Sequence, residues 1–240
     1  MKPEILYEDA ALVLVNKPSG LLTIPDRHNP EKANLQDLLA RKYERIFTVH
    51  RLDRETSGII CFARTAEAHA VLSKSFQERT VEKKYLAFVS GNVADDTGVI
   101  EIGLAPDPMN PGKMKVTKGG KKSVTAYKVL ERFKTCSFVE ASIMTGRMHQ
   151  IRVHFKSIGH PCYVDKLYGK NEAIYIRDIK QRNLKISKYA DETELPLVSR
   201  TTLHASQLKL RHPVTGMNMA FEAPLPKDLR ALLNQLRKWA

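Results

Sequence analysis

Residues 50–63 read HRLDRETSGIICFA and place a charged turn directly before an almost entirely apolar stretch. The apolar half, Gly58–Ala63, has the length and composition of a buried strand. The charged half holds Asp53 between Arg51 and Arg54. A carboxylate between two guanidinium groups stays ionised at neutral pH, and a rigid strand behind it fixes its position. The pattern indicates a nucleophile or a base; an ordinary Asp–Arg pair in a surface loop is the alternative.

The segments on both sides of this stretch predict strands mixed with helices, without a regular βαβ rhythm. Helices are expected after the N-cap residues Asn34 and Thr65, and over Arg147–Ile158 and Asp228–Trp239. The fold class is therefore predicted to be α+β, with a mixed, largely antiparallel sheet and flanking helices. The predicted strands are Ile5–Tyr7, Leu12–Val15, Gly58–Ala63, Lys83–Ser90, Val99–Ile102, Ser123–Glu131 and Cys136–Thr145.

The charge balance is strongly basic. Among 240 residues, 39 are Lys or Arg and 26 are Asp or Glu, which gives a formal net charge of +13. Such a field favours a polyanionic partner, most commonly nucleic acid, although a protein that merely happens to be basic is the plainer interpretation. The three cysteines form no C-x-x-C pair, which argues against disulfides and a cysteine zinc site. No signal peptide or membrane span is evident, so a cytoplasmic protein is expected.

The chain shows no internal repeat and no strong linker. A single catalytic domain over residues 1–240 is therefore the expected organisation, with a monomer as the default state. Residues 166–194 form the most polar region and contain few apolar anchors. This region is predicted to be an insertion or a mobile loop.

A second basic motif, TGRMHQIRVH, covers residues 145–154. His149 and His154 are five residues apart, do not share a helix face and do not indicate a metal site. On the predicted helix, His149, Arg152 and Lys156 point together. Either this is the solvated face of a basic amphipathic helix, or an arginine of the motif reaches into a cleft as the partner of a carboxylate.

A third basic segment, residues 111–122, carries five lysines and no acidic residue between two predicted strands. One interpretation is a solvated hairpin loop. With the net charge, the segment is better interpreted as a flexible clamp for RNA phosphates, formed by Lys113, Lys115 and Lys121. The segment lacks the phosphate-loop pattern of ATPases, so no nucleotide cofactor is expected.

These motifs together resemble the RluA family of pseudouridine synthases. HRLDRETSG is similar to the family signature H-R-L-D-x-x-T-S-G, TGRMHQIRVH to its arginine motif, and EKKYLAFVSG (residues 82–91) to its tyrosine-bearing strand. The agreement runs from NKPSG (residues 16–20) to HPVTG (residues 212–216) and omits only Lys166–Arg200. Met148 replaces a usual small hydroxyl residue, and Val164 replaces the Gly that commonly precedes Asp165.

The resemblance implies roles for several side chains. Asp53 would be the catalytic aspartate and Arg152 its ion-pair partner. Tyr85 would stack on the flipped uracil ring and is a candidate for removing the proton from C5, a step for which its surroundings would have to lower an ordinary pKa near 10. The further residues implied to bind the substrate are Arg51, Arg147 and His149.

The implied activity is the isomerisation of uridines to pseudouridine in structured RNA, with ribosomal RNA favoured and transfer RNA next. The uridine would be flipped out of its stack, and neither metal nor cofactor would be needed. Whether Asp53 attacks the sugar or abstracts a proton stays open. No S4-like RNA-binding domain is expected before the motifs. The alternatives are an RNA-binding assembly factor that keeps this fold, and a hydrolase of nucleic acid that uses Asp53 as a metal ligand.

Overall fold

The computed structural model describes residues 3–180 and 195–240. In these residues the strands are β1 Glu4–Glu8, β2 Leu12–Lys17, β3 Phe47–Thr48, β4 Ser57–Ala63, β5 Glu82–Ser90, β6 Thr97–Glu101, β7 Leu104–Pro106, β8 Met114–Val116, β9 Val124–Arg132, β10 Cys136–Ile143, β11 Leu203–Arg211 and β12 Asn218–Glu222. The helices are α1 Leu35–Ala40, α2 Ala66–Gln77, α3 Gln150–Ser157, α4 Ile176–Lys180 and α5 Lys227–Trp239.

Ten of the described strands share one sheet, whose central order is β1-β2-β4-β11-β5-β10-β9-β6. Strand β12 pairs with β11, β3 pairs with β4, and β7 and β8 form a separate hairpin. The β4–β11 pair is parallel, whereas the pairs on either side of it, β2–β4 and β11–β5, are antiparallel. The predicted α+β class with a mixed, largely antiparallel sheet is confirmed.

Strand β5 separates two hydrophobic cores. Tyr85, Ala87 and Val89 belong to the larger core, which also includes residues of β2, β4, α1 and α2. Phe88, between Ala87 and Val89, points to the opposite face and belongs to the second core, where the leucines of α5 are buried. Because side chains alternate across a strand, β5 supports a helical layer on each face of the sheet. Every helix in the described part of the chain is too short or too polar to pass through a lipid bilayer.

Strands β4 and β11 approach each other closely at Gly58. This residue has a φ angle of +114°, and a Cβ atom there would lie 2.1 Å from the backbone oxygen of Ala205. Only glycine fits both the backbone conformation and the space. The close approach fixes the start of β4 against β11, and with it the preceding turn that carries Asp53.

The helix predicted from Arg147 begins three residues later, at Gln150. His149 has a left-handed backbone with a φ angle of +55°, which no α-helical residue adopts. The Gln150 side-chain oxygen accepts hydrogen bonds from Arg147 N, at 3.1 Å, and from the Thr145 hydroxyl, at 2.7 Å. These bonds hold residues 145–149 in a turn. The prediction that His149 shares a helix face with Arg152 and Lys156 is therefore wrong, because His149 lies before the helix.

Part of the polar region 166–194 packs against the body of the protein. Tyr168, Ile174 and Ile179 are buried, so apolar anchors exist up to Lys180. Sequence reasoning underestimated them because charged residues surround each one. Residues 181–194 lie outside the described residues, and the predicted insertion or mobile loop stays a prediction there.

The completely buried His204 joins the start of β4 to the segment after β12. Its Nδ1 lies 2.9 Å from the Ser57 hydroxyl oxygen, and its Nε2 lies 3.1 Å from the Ala223 carbonyl oxygen. Burial lowers the pKa of His204 to about 4. An exposed histidine in the unfolded chain titrates near 6.5, so between these pH values the unfolded state binds more protons.

We therefore expect His204 to make the free energy of unfolding fall as the pH drops from about 6.5 to about 4. The loss from this one residue is about 2–3 kcal/mol, and it is absent above the unfolded pKa. Urea unfolding at pH 7 and pH 4 measures it in the wild type and in His204→Gln. The variant should lose less stability between the two pH values; an equal loss would contradict the assignment.

Candidate active site

A cavity of about 660 Å³ opens beside the turn before β4. Asp53, Tyr85 and Arg152 all line it, although they come from three separate parts of the sequence. The other cavity-lining residues that were predicted to bind substrate are Arg51, Arg147 and His149. The structure thus brings together six of the nine predicted site residues.

Arg152 connects two carboxylates. Its Nε and Nη2 donate to the two oxygens of Asp165 at 2.7 and 2.8 Å, and its Nη1 donates to Asp53 Oδ2 at 3.3 Å. The Asp165 side chain is fully buried, whereas the Asp53 side chain keeps 21% of its surface exposed. The bidentate pair with Asp165 fixes the guanidinium group, and the remaining nitrogen positions the accessible carboxylate of Asp53.

The guanidinium group of Arg152 stays positively charged although it is buried. Burial alone would lower the pKa of Arg152, but the hydrogen bonds and negative charge of Asp165, together with the charge of Asp53, raise it above its ordinary value. Arg152 therefore stays protonated, and one positive charge faces two carboxylates. A half-paired Asp53 at the cavity surface is suited to react with a bound ligand.

Of the two arginines that flank Asp53 in sequence, Arg54 binds other groups. Arg54 Nε donates to the Gly20 carbonyl oxygen at 3.1 Å and lies 3.8 Å from a carboxylate oxygen of Glu55. Arg51 is exposed at the cavity. The neighbour in sequence, Arg54, thus pairs with Gly20 and Glu55 and not with Asp53. The ion-pair partner of Asp53 is Arg152, 99 positions away in the chain.

Tyr85 lies on β5 with only 7% of its surface exposed. Burial raises the pKa of Tyr85, and the negative charge of nearby Asp53 raises it further. Its hydroxyl group therefore stays protonated at neutral pH. These surroundings suit a ring that packs against a ligand and work against a phenolate that removes a proton.

The three predicted clamp lysines lie outside the cavity lining. Lys113 and Lys115 flank Met114 at the beginning of β8, and Lys121 follows the β7–β8 hairpin. A strand thus stands where a flexible loop was predicted. Lys115 and Lys121 are exposed, and Lys113 is half-buried.

Sequence reasoning missed three side chains near this site. Asp165 was mentioned only as the residue that follows Val164 and was given no role. Tyr168 lies in the polar region 166–194 and was not considered. Tyr168 is buried with its ring 5.0 Å from the Arg152 guanidinium carbon and its hydroxyl 2.8 Å from His149 Nδ1. Lys83 lines the cavity, and burial lowers its pKa. An acidic residue directly after the apolar run Cys162–Val164 was the available signal for Asp165.

The family model for RNA pseudouridylate synthase matches residues 11–157, a range that includes Asp53, Tyr85 and Arg152. The chain belongs to this family. The resemblance of its motifs to the RluA pseudouridine synthases is thereby confirmed. The match covers more than half of the chain and contains both the aspartate turn and the arginine helix α3.

Curated relatives agree with this assignment over almost the full chain. Ribosomal large subunit pseudouridine synthase D of Neisseria meningitidis serogroup B is 42% identical over 99% of this chain. This chain spans only 62% of that relative's length. The uncharacterized RNA pseudouridine synthase YlyB of Bacillus subtilis is 35% identical, over 99% of this chain and 74% of its own.

A solved structure supports the same fold. Human RNA pseudouridylate synthase domain containing 4 superimposes with a TM-score of 0.73 and 25% sequence identity. The match covers 98% of this chain and 93% of the human one. The observed sheet is therefore that of a pseudouridine synthase domain.

Proposed function

We propose that this protein converts uridine to pseudouridine in RNA, with ribosomal RNA as the favoured substrate class. The observation that supports this most directly is the shared cavity of Asp53, Tyr85 and Arg152 in a chain of this family. The names of several relatives refer to the large ribosomal subunit, which favours ribosomal over transfer RNA.

The reaction is an isomerisation and consumes no second substrate. The N1–C1′ bond of uridine breaks, the uracil turns within the cavity, and a C5–C1′ bond forms. The proton on C5 is then lost and N1 ends protonated, so atoms and charge balance. Asp53 can attack C1′ of the sugar or remove a sugar proton, and the hydrogen bond from Arg152 orients its carboxylate in either case.

The proposed substrate is a single nucleoside flipped into the cavity. A stacked uridine is inaccessible, so its base must leave the helix before it can react. Tyr85 then offers its ring for packing against the uracil, and exposed Arg51 lies where it can pair with a neighbouring phosphate. The net charge of +13 attracts the polyanion to this surface.

Release of tritium from [5-³H]uracil-labelled RNA tests the proposed activity. The purified protein is incubated with a large-subunit ribosomal RNA transcript or a transfer RNA transcript, without added metal or nucleotide. We expect release from the ribosomal transcript at a rate above that from transfer RNA. Binding without release would favour the RNA-binding assembly factor. Cleavage of the RNA in a parallel reaction with added Mg²⁺ would favour the metal-dependent hydrolase.

The three predicted clamp lysines supply a quantitative test of RNA contact. We expect Lys113→Gln, Lys115→Gln and Lys121→Gln together to weaken RNA binding and to reduce the slope of log affinity against log salt by about 2–3, since each lost phosphate contact removes roughly 0.7–0.9. Fluorescence anisotropy at several salt concentrations measures this slope.

The charge-matched control replaces three lysines outside the hairpin and the cavity lining, namely Lys134, Lys227 and Lys238. This control lowers the net charge by the same amount but should change the slope much less. Equal slopes for the two triple variants would show that the hairpin acts only through net charge.

A further inference from the structure

Tyr168 connects the β7–β8 hairpin to the cavity. Its hydroxyl oxygen accepts a hydrogen bond from Met114 N of β8 at 2.8 Å and lies 2.8 Å from His149 Nδ1. Tyr168 is only 5% exposed, and its ring packs with Leu104 and Val153. Its backbone N–H donates to Asp165 Oδ1 at 3.1 Å, which ties the same residue to the partner of Arg152.

The protons at this hydroxyl can be assigned by elimination. Among the described residues, its hydrogen-bond partners are Met114 N and His149 Nδ1. Met114 N can only donate, so the tyrosine oxygen accepts there. If His149 Nδ1 also donated, the buried phenolic hydrogen would lack an acceptor, at a cost typical of an unsatisfied polar group. The phenol therefore donates to Nδ1.

This assignment determines which nitrogen of the His149 ring carries the hydrogen. A neutral imidazole that accepts at Nδ1 carries its hydrogen on Nε2. Burial lowers the pKa of His149; the charges of Asp53 and Asp165 act in the opposite direction, while Arg152 and Arg51 act with burial. The neutral ring is therefore the form present at neutral pH.

Within residues 3–180 and 195–240, the Nε2 hydrogen has no acceptor at hydrogen-bond distance. Nε2 lies 3.8 Å from Asp53 Oδ2, which is longer than a hydrogen bond, and His149 lines the cavity with 13% of its side chain exposed. An acceptor oxygen of a bound nucleoside, on the uracil or the ribose, can occupy the space beside both groups.

We propose that Tyr168 is a positioning residue that fixes the neutral His149 ring with its hydrogen on Nε2, and that this N–H binds an acceptor oxygen of the flipped nucleoside beside Asp53. The assignment of the tautomer stands on the geometry of the protein. The nucleoside as the acceptor rests on the proposed function.

Nuclear magnetic resonance of the full chain with ¹⁵N-labelled histidines tests the first part. The signal missing in His149→Asn identifies His149 in long-range ¹H–¹⁵N spectra. In the wild type, Nε2 should resonate as a protonated nitrogen and Nδ1 as an unprotonated one. Tyr168→Phe should shift His149 toward a mixture of tautomers. A protonated Nδ1 in the wild type, or no change in Tyr168→Phe, would overturn the assignment.

Tyr163→Phe is the matched control for this experiment. Tyr163 is also 5% exposed, and its hydroxyl lies 2.9 Å from the Thr135 hydroxyl, away from the cavity lining. Tyr163→Phe removes the same hydroxyl oxygen from a partly buried hydrogen bond. The His149 signals should be the same in Tyr163→Phe as in the wild type. The variant should also release tritium at the wild-type rate.

Two substitutions of His149 test the second part. Glutamine can place an amide donor near the position of Nε2, whereas asparagine tolerates the left-handed backbone but is too short to do so. We expect His149→Asn to lower kcat/KM for tritium release by about 10²-fold and His149→Gln to retain most of it. Equal losses would refute the donor role. A wild type that releases no tritium refutes the proposed function, while the spectra still decide the tautomer.

Discussion

Asp53→Asn should reduce tritium release by about 10³-fold or more while RNA affinity is retained. Asparagine has nearly the same shape and can still contact Arg152, but it has no negative charge with which to attack C1′ or accept a proton. Loss of one negative charge facing RNA should leave binding unchanged or slightly tighter. Single-turnover release and anisotropy measure the two quantities separately.

Glu55→Gln is the matched control, because it makes the same carboxylate-to-amide change two residues away. Glu55 pairs with Arg54 at 3.8 Å and is absent from the cavity lining. This variant should release tritium at the wild-type rate. Retained activity in Asp53→Asn would remove Asp53 from the mechanism, and equal losses in both variants would point to damage of the turn.

Asp165→Ala should lower the free energy of unfolding by about 3–5 kcal/mol, because it leaves the buried guanidinium group of Arg152 without its bidentate partner. The Arg152 side chain is only 5% exposed, so water cannot replace the lost carboxylate easily. Tritium release should fall by roughly 10²-fold in the folded fraction, since Arg152 would no longer be held beside Asp53. Urea unfolding and the release assay measure the two effects.

Glu131→Ala provides the control for that loss. Glu131 accepts two hydrogen bonds from Arg237, at 2.5 and 2.9 Å, in the same bidentate arrangement, but the Arg237 side chain is 53% exposed. Its removal should cost less than about 1 kcal/mol. If Asp165→Ala unfolds too readily for assay, Asp165→Asn keeps the shape of the side chain and should still reduce release. A stable, fully active Asp165→Asn would refute the role of this pair.

The strands that carry the predicted site were visible in the sequence because each shows a local pattern. Gly58–Ala63 is an uninterrupted apolar run, and every residue of the strand Ser57–Ala63 is buried. Strand β5 alternates between its two cores, as its predicted period of two requires. Caps were equally local: the side chains of Asn34 and Thr65 accept backbone hydrogen bonds at the starts of α1 and α2.

Strand β11 escaped prediction although it lies at the centre of the sheet. Its sequence, LHASQLKLR, mixes polar and apolar residues, and its two ends are buried by different neighbours. His204 and Ser57 satisfy each other across strands, so a polar residue is buried without any local sign of it. Only tertiary structure supplies that partner.

The candidate site shows the same division. Asp53, Tyr85 and Arg152 were found through motifs, and they do line one cavity. Asp165 and Tyr168 were not assigned to the site, because their importance comes from contacts made across the fold. The start of α3 was wrong for a related reason: the side chain of Gln150 bonds the preceding turn, and a helical period cannot reveal such a bond.

The place of β11 has a consequence for the order in which the protein matures on the ribosome. The turn with Asp53 belongs to the β2–β4 half of the sheet, whereas Tyr85 lies in the β5–β10 half, and β11 separates the two. Until residues 203–211 leave the exit tunnel, none of the strands in the described part of the chain joins these halves. A nascent chain that stops short of them should hold every side chain of the proposed chemistry and still be unable to perform it.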